Sequence, residues 1–185
     1  MKPKYHRTSY NPLKWSVDNI DRQVVEHVPN GSTVLELGCA TGFMGHWLEQ
    51  HKNCTVTGVE FSQAEARLAS KKLSHVISAN IEDVERLKTL LTKHKKKFDV
   101  ILATSILEHV RNPNEVLRML RKFLLPSGVL IASTPNIAHW STRWMLLTGR
   151  WEYEQYGIMD RTHVVFFTHD SFATMIQDSG YQIQL

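Results

Sequence analysis

The sequence predicts an α/β fold: a doubly wound, mostly parallel sheet flanked by helices on both faces. Between residues 33 and 134, short runs rich in β-branched residues alternate with longer segments of helical periodicity. This alternation is typical of βαβ units, in which a helix crosses over between parallel strands. The 185 residues are enough for one well-buried domain and few for two.

Five β-branched runs are predicted to form the strands of this sheet. They are residues 33–37, 55–60, 75–78, 98–104 and 128–134. The segments between them have helical periodicity, and the one after Pro113 places apolar residues on one face, as packing against a sheet requires.

The helices have their own start signals. Residues 17–28 have the pattern of an amphipathic helix. Ser62 and Glu65 have the spacing of a capping box. Asn112 is predicted to cap a helix whose first residue is Pro113.

The last helix is predicted from Thr168, its capping residue, to about Ser179. Phe167 and Phe172 have the spacing of a hydrophobic staple, and Gly180 is a stop signal. Residues 181–185 are predicted to begin a further strand.

The composition predicts a cytoplasmic protein. Hydrophobic residues make up 42% of the chain and charged residues 22%, which is ordinary for a globular domain. No apolar run approaches the roughly 18 residues of a membrane span, and the basic residues 1–7 precede no apolar signal segment. Cys39 and Cys54 are too few for a disulfide framework and are expected to be free thiols.

The net charge of +4 does not determine the function. Part of it lies in residues 93–97 (KHKKK), where a solvated helix end is favoured because cations complement the helix dipole. No aromatic residues interleave these lysines, so a nucleic-acid partner is disfavoured.

A ligand-binding turn is predicted where the first strand meets the following helix. Residues 36–42 (ELGCATG) form a tight turn of small residues, which lets a ligand approach the backbone closely. Glu60 ends the second strand, a position from which an acid can accept hydrogen bonds from both ribose hydroxyls. The structural alternatives are a solvated carboxylate for Glu36 and a first-turn helix acid for Glu60.

A dinucleotide cofactor is disfavoured at this turn. The dinucleotide fingerprint needs glycines where this chain has Ala40 and Phe43, and Phe43 would crowd a phosphate. Glu36 would also place a negative charge near that phosphate. A carboxylate suits a ligand with an amino group and a positive sulfonium better.

Residues 34–42 (VLELGCATG) resemble motif I of the class I S-adenosylmethionine-dependent methyltransferases, with Ala40 where a third glycine is usual. The resemblance continues in the expected order through residues 59–60, 79–83, 98–109 and 128–136. It implies a Rossmann-like fold, S-adenosyl-L-methionine as cofactor and S-adenosyl-L-homocysteine as product. The enzyme would transfer a methyl group by in-line displacement.

The resemblance also implies a cofactor-binding set. Glu36 and the backbone of the turn would line the methionine and ribose portions, Glu60 would bind the ribose diol, and Phe61 would pack against adenine. Asn80 stands where the family usually has Asp, and the alternative role for its side chain is a helix cap. Alanine in place of the usual glycine at position 40 should still permit close approach of the ligand if the dihedral angles of Ala40 are ordinary. The full set is Glu36, Gly38, Cys39, Ala40, Gly42, Glu60, Phe61, Asn80, Ile81, Thr104 and Ser105.

Two histidines are candidate catalytic residues, since a base is needed only if the acceptor must lose a proton. His109 follows the fourth strand, where a structural role at the floor of the site is favoured over catalysis. His163 lies in a polar cluster, residues 157–163, and is the candidate general base, with a loop-stabilising network as the alternative. No metal site is predicted.

Residues 136–168 break the strand–helix rhythm and are predicted to be a substrate-binding insertion. They are rich in aromatic residues and arginine, and the candidate substrate residues are Trp140, Arg143, Trp151, Tyr153 and Tyr156. Ile137, Trp140, Trp144 and Leu147 share helical spacing, so we expect the first half to pack on the core and the second half to face substrate.

The substrate is expected to be a small molecule or a glycan-type acceptor. Residues 135–140, 146–151, 160–163 and 166–168 are similar to a subgroup linked to bacterial glycan and cell-envelope biosynthesis, and to MetW-like proteins. Nucleic-acid methylation is less favoured. Enzymes that methylate base amino groups have an Asn/Asp-Pro-Pro-aromatic run after the fourth strand, and residues 103–106 lack it. Enzymes that methylate ring carbons need a nucleophilic cysteine there, and both cysteines lie elsewhere. A non-catalytic cofactor-binding or scaffold protein is the alternative from another class. The sequence leaves the oligomeric state open.

One methyltransferase domain is therefore predicted over residues 1–185. Residues 1–30 would form an N-terminal helical cover, residues 31–135 the cofactor-binding core, residues 136–168 the insertion and residues 169–185 the last helix with the beginning of a strand. The family closes its sheet with an antiparallel pair of strands at the carboxyl end, and the resemblance implies that this pair is truncated here.

Overall fold

The computed structural model describes residues 10–94 and 97–184, and its five strands form one parallel sheet. Residues 1–9, part of the predicted N-terminal cover, and two lysines of the basic run, Lys95 and Lys96, lie outside the described residues. The strands are β1 Thr33–Leu37, β2 Thr55–Glu60, β3 His75–Ser78, β4 Phe98–Thr104 and β5 Leu124–Ser133.

The strand order is β3-β2-β1-β4-β5, which confirms the doubly wound α/β prediction. The chain winds outward from β1 to β3, then returns to place β4 on the other side of β1. The strand order therefore reverses between β1 and β4. Ligands of open parallel sheets bind outside the carboxyl ends of the strands at such a point.

Helices cover both faces of the sheet. They are α1 Ile20–His27, α2 Phe43–Lys52, α3 Gln63–Ala69, α4 Val84–Lys93, α5 Pro113–Leu120, α6 Trp140–Leu147 and α7 His169–Asp178. The first three contribute to one buried cluster with Val34, Val56 and Leu102, while α4, α5 and α7 contribute to another with Leu35 and Ile101. Strands buried on both faces explain the continuous β-branched runs in the sequence.

The predicted helix starts are confirmed at some positions and wrong at others. Thr168 caps α7 and forms a capping box with Ser171. The side chain of Asn19 caps α1, so this helix starts at Ile20 and not at residue 17. Asn112 makes no capping hydrogen bond with its side chain, although the helix does begin at Pro113.

The last helix is confirmed, but the strand predicted after it is not. The rings of Phe167 and Phe172 lie 5.4 Å apart as a staple, and Gly180 follows the helix with φ at +90°. Residues 181–184 form no strand, and Leu185, the last residue of the predicted strand, lies outside the described residues. The Tyr181 hydroxyl donates to the Leu117 carbonyl in α5, which directs this segment onto a helix and away from a sheet partner.

The fifth strand begins earlier than predicted, at Leu124 and not at residue 128. Leu124 pairs with Phe98, and an irregularity between Phe98 and Val100 shifts the register before Val129 pairs with Val100. Pro126 and Gly128 weaken the strand pattern here. Both are tolerated because β5 is an edge strand, which needs hydrogen bonds to a neighbour on one side only. No helix within residues 10–94 and 97–184 is long and apolar enough to cross a membrane.

Candidate functional site

The turn between β1 and α2 requires glycine at two positions. Gly38 and Gly42 have φ values of +63° and +76°, which L side chains rarely adopt. A Cβ atom on Gly38 would lie 2.7 Å from the Ile106 side chain, which follows β4. The turn is therefore packed against the residues after β4, across the point where the strand order reverses.

Ala40 and Ser105 adopt left-handed backbone conformations. Their φ values are both +47°, and neither residue is glycine. The expectation that Ala40 has ordinary dihedral angles is therefore wrong. Such positions cost on the order of 1 kcal/mol or more and persist where surrounding structure holds them, often at functional sites. The Ser105 amide is held by the carbonyl oxygen of Ser133 at 3.0 Å.

The Glu60 carboxylate stabilises the turn from the end of β2. Its two oxygens accept hydrogen bonds from the Ala40 amide at 2.9 Å and the Ser62 amide at 2.7 Å. Only half of the predicted capping box forms. The Ser62 side chain accepts a hydrogen bond from the Glu65 amide, but the Ser62 amide donates to Glu60 and not to the Glu65 side chain. A carboxylate has about four acceptor positions, so Glu60 keeps capacity for ribose hydroxyls.

Loss of Glu60 is expected to weaken product binding and the turn together. Glu60→Ala should reduce the affinity for S-adenosylhomocysteine by about 1.5–3 kcal/mol, the range for hydrogen bonds to charged groups. It should also lower the melting temperature, because the Ala40 and Ser62 amides lose their acceptor. Isothermal titration calorimetry measures the first effect. Glu65→Ala, on the neighbouring helix, is the control, and equal affinities for both variants would remove Glu60 from the site.

Glu36 lies below the turn and is almost fully buried, with 7% of its surface exposed. Burial raises the pKa of Glu36 to about 8, and a hydrogen bond from the Gly45 backbone opposes that rise. Its Oε2 atom has no hydrogen-bond partner. A buried carboxylate with an unsatisfied oxygen is suited to receive a cationic group from a ligand.

The side chains predicted near adenine lie at the ends of β2 and β3. Phe61 is 72% exposed and its ring is available for packing, whereas the Ile81 side chain is buried. Asn80 is half-buried, and its Oδ1 atom accepts a hydrogen bond from the Glu82 amide at 3.0 Å. Asn80 caps no helix, because α4 begins at Val84 and Asp83 caps it.

Cys39 and Thr104 present mainly their backbones to the turn and the strand end. The Cys39 thiol is buried, and a Cβ atom on Gly58 would lie 2.5 Å from its sulfur. Burial also raises the pKa of this thiol, so it is no nucleophile. The Thr104 hydroxyl is buried without a hydrogen-bond partner.

A second group of side chains lies beyond the carboxyl end of β4 and consists of Glu108, His109 and His163; we call it the Glu-His-His cluster. One donor atom from each residue lies within 4.8 Å of the others. The rings of His109 and His163 are 4.8 Å apart, and His163 Nε2 lies 3.9 Å from Glu108 Oε1. The amides of Val164 and Val165 donate to the Glu108 carbonyl, which joins the insertion to this strand end.

Glu108 is the member of this cluster that was not predicted from the sequence. It is 2% exposed, and no group of the described residues makes a well-formed hydrogen bond to either of its carboxylate oxygens. Burial raises the pKa of Glu108 to about 7, the Thr134 hydroxyl lowers it, and the buried Asp160 raises it further. An acid directly before His109 was visible in the sequence, but its burial depends on how residues 158–165 fold over it.

The aromatic insertion divides differently from the prediction. Trp140, Trp144 and Leu147 in α6 are 72%, 60% and 80% exposed, so the first half does not pack on the core. These three residues and Arg143 line a shallow surface depression, and Thr142 is the buried residue of this helix. Helical spacing was correct, but it does not tell which way an apolar face points.

The second half of the insertion approaches the Glu-His-His cluster. Phe166 lies between two rings, 6.1 Å from His163 and 5.8 Å from Trp151. Trp151 also contacts Tyr153 edge to face at 6.1 Å. Tyr153 and Tyr156 are about half exposed.

Comparison with known proteins identifies the family. The model of the family described as "Methyltransferase domain" matches residues 8–185. The chain is 29% identical over 141 residues to a ubiquinone biosynthesis O-methyltransferase of Psychrobacter cryohalolentis, covering 68% of this chain and 53% of that protein. It is 34% identical over 121 residues to the Histophilus somni enzyme of the same name, covering 62% and 50%. The chain thus spans about half the length of these relatives.

A solved structure shows the same fold. A SAM-dependent methyltransferase from Archaeoglobus fulgidus superposes with a TM-score of 0.66 at 17% identity, over 87% of this chain and 66% of that one. The family match extends over nearly the whole chain, and the glycine turn with Glu60 lies where the strand order reverses. The chain therefore belongs to the class I S-adenosylmethionine-dependent methyltransferase family.

Proposed function

We propose that the protein transfers a methyl group from S-adenosyl-L-methionine to a hydroxyl oxygen of a small molecule. The observation that carries this proposal is the Glu-His-His cluster, since Glu108 and His109 follow Ile106, the residue that packs against Gly38, by two and three positions. A hydroxyl group must lose its proton when it is methylated, and titratable side chains beside the donor can assist that loss. The ubiquinone biosynthesis O-methyltransferases that the chain resembles support an oxygen acceptor.

The reaction is a displacement at the methyl carbon. A lone pair of the acceptor oxygen forms the new carbon–oxygen bond as the carbon–sulfur bond breaks, and the bonding pair stays on sulfur to give a neutral thioether. The hydroxyl proton passes to His163, with His109 beside it. Charge disperses in this transition state, so holding donor and acceptor in line in a water-poor site supplies much of the acceleration.

The insertion is proposed to select the acceptor. Trp151 and Tyr153 lie on the cluster side, where their rings can cover an aromatic or sugar ring. Trp140 and Arg143 lie on the exposed face of α6, where they would contact a longer or anionic part of the substrate. Loops carried on a rigid sheet commonly hold specificity in this way.

A label-transfer assay tests the function. The protein is incubated with methyl-labelled S-adenosylmethionine and three acceptor panels: phenols and catechols, primary amines, and sugar alcohols or nucleotide sugars. We expect label in the phenol and catechol panel, because such hydroxyls ionise most readily. Label only in the sugar panel would support a glycan-type acceptor, and label only in amines would contradict an oxygen acceptor. Tight product binding without transfer to any panel would favour a cofactor-binding protein without catalysis.

A further inference from the structure

Three potential metal-binding groups converge beyond the carboxyl end of β4, in the Glu-His-His cluster. The Glu108 carboxylate is 2% exposed, and within residues 10–94 and 97–184 neither of its oxygens has a well-formed hydrogen bond. A buried carboxylate in that state is costly unless a cation or a donor compensates it. The two imidazoles lie beside this carboxylate, and His163 places Nε2 3.9 Å from Glu108 Oε1.

Both imidazole rings are oriented by backbone carbonyl groups. His109 Nδ1 lies 3.0 Å from the Thr162 carbonyl oxygen, and His163 Nδ1 lies 3.0 Å from the Ile158 carbonyl oxygen. A carbonyl oxygen accepts only, so each Nδ1 carries the hydrogen and the ring's lone pair is on Nε2. A hydrogen bond from one ring nitrogen to a carbonyl is the arrangement that usually orients a metal-binding histidine.

We propose that Glu108, His109 and His163 bind a divalent transition-metal cation, with zinc as the ion that suits them best. Two imidazoles and one carboxylate are the protein ligands of many catalytic zinc sites, which keep a fourth position open. Magnesium and calcium suit this cluster poorly, because those ions prefer oxygen ligands and the cluster offers one carboxylate and two imidazole nitrogens. The sequence-based expectation of no metal site is revised by this proposal.

The size of the cluster is compatible with such an ion. An ion at the centre of three atoms 4.8 Å apart would be about 2.8 Å from each, and bonds of about 2.0–2.1 Å then require each atom to move inward by roughly 0.7 Å. Rotation of the side chains can supply this movement without a change in the backbone. The amides of Val164 and Val165 donate to the Glu108 carbonyl oxygen, which joins the backbone next to His163 to the backbone of Glu108.

The open position would take the acceptor oxygen, an assignment that rests on the proposed methyl transfer. A metal-bound hydroxyl loses its proton more readily, as metal-bound water does. With the ion present, His163 is a ligand, and the proton is released to solvent. In its absence His163 could act as the base, so metal dependence separates these two roles.

The test measures zinc binding in the full chain without cofactor. Protein freed of metal by chelation and dialysis is titrated with ZnCl₂ by calorimetry, and CoCl₂ is added in parallel to record visible ligand-field absorption. Glu108→Gln, His109→Ala and His163→Ala are compared with the native chain. His75→Ala is the matched control, because His75 pairs with His94 in a ring contact outside the site. Thermal melting of each variant confirms that it is folded.

We expect one zinc per chain, affinity lowered about 100-fold or more in each cluster variant, and unchanged affinity in His75→Ala. Cobalt should give the strong absorption of a four- or five-coordinate ion, and the cluster variants should lose it. Zinc binding only in the millimolar range, or equal binding by native chain and cluster variants, would overturn the proposal. If zinc binds but no acceptor panel is methylated, the proposed function fails while the metal site stands. If label transfer proceeds unchanged after chelation, the site has no role in transfer.

Discussion

Replacing His163 by alanine is expected to lower the methyl-transfer rate by roughly 100-fold or more, the contribution of a general base or of a group that orients the acceptor. The affinity for S-adenosylhomocysteine should stay within about twofold of the native value. His163 belongs to the Glu-His-His cluster, whereas the turn and Glu60 that would hold the cofactor are separate hydrogen-bonded units. The rate is measured by label transfer and the affinity by calorimetry.

The His163 experiment has a matched control on the protein surface. His169→Ala removes an imidazole at the start of α7 that contacts only the exposed Asp170 carboxylate among the ion pairs described, and its rate should be native. A base role for His163 predicts that the rate of His163→Ala rises with pH as the acceptor ionises unaided. A ligand role predicts that zinc no longer restores the rate of chelated protein. Native turnover in folded His163→Ala would show that the cluster only stabilises the loop.

Replacing Glu36 by glutamine is expected to change both stability and cofactor affinity in a pH-dependent way. The pKa of Glu36 is about 8 in the folded chain, against 4.5 as the ordinary value. The folded state therefore binds more protons than the unfolded state between these values, and the native chain loses stability as pH rises from about 4.5 to about 8. Glu36→Gln cannot ionise, so its advantage over the native chain should grow through that range and level off above pH 8.

Product binding should show the opposite preference. A ligand ammonium beside Glu36 favours the ionised carboxylate, so native affinity should rise between pH 7 and 8 as a proton is released. Glu36→Gln should bind S-adenosylhomocysteine about 10-fold or more weakly, the range for a lost charged hydrogen bond, and with a flatter pH profile. Melting curves and calorimetry at matched pH values measure both effects. Parallel profiles for the two proteins and equal affinities would place Glu36 outside the site.

The strands could be predicted from the sequence almost to the residue. Residues 33–37, 55–60 and 98–104 are buried almost throughout, so their β-branched runs are continuous and end where the strands end. Residues 75–78 form an edge strand in which only Ile77 is buried, and the short run there still gave the correct bounds. The edge strand β5 was predicted too short, because an edge strand tolerates Pro126 and Gly128. Local rules also fail at caps, where Asn112 has the right residue type but makes no side-chain bond.

The position of the turn between β1 and α2 could be predicted, but its internal hydrogen bonds could not. The glycines and Glu60 are visible as a motif, whereas the hydrogen bonds from the Ala40 and Ser62 amides to Glu60 depend on the folded turn. Glu108 was missed because its burial depends on a segment about 50 residues later in the chain. Helical periodicity also could not show which way the apolar face of α6 points, and this face is exposed to solvent.

A crystal structure of the protein with S-adenosylhomocysteine tests the central claim most directly. We expect both ribose hydroxyls to lie within hydrogen-bond distance of the Glu60 carboxylate and the amino group to lie toward Glu36. The sulfur atom should lie beside Thr104 and Ser105, facing the Glu-His-His cluster. A product bound with its ribose away from Glu60, or with its sulfur pointing away from the cluster, would contradict it.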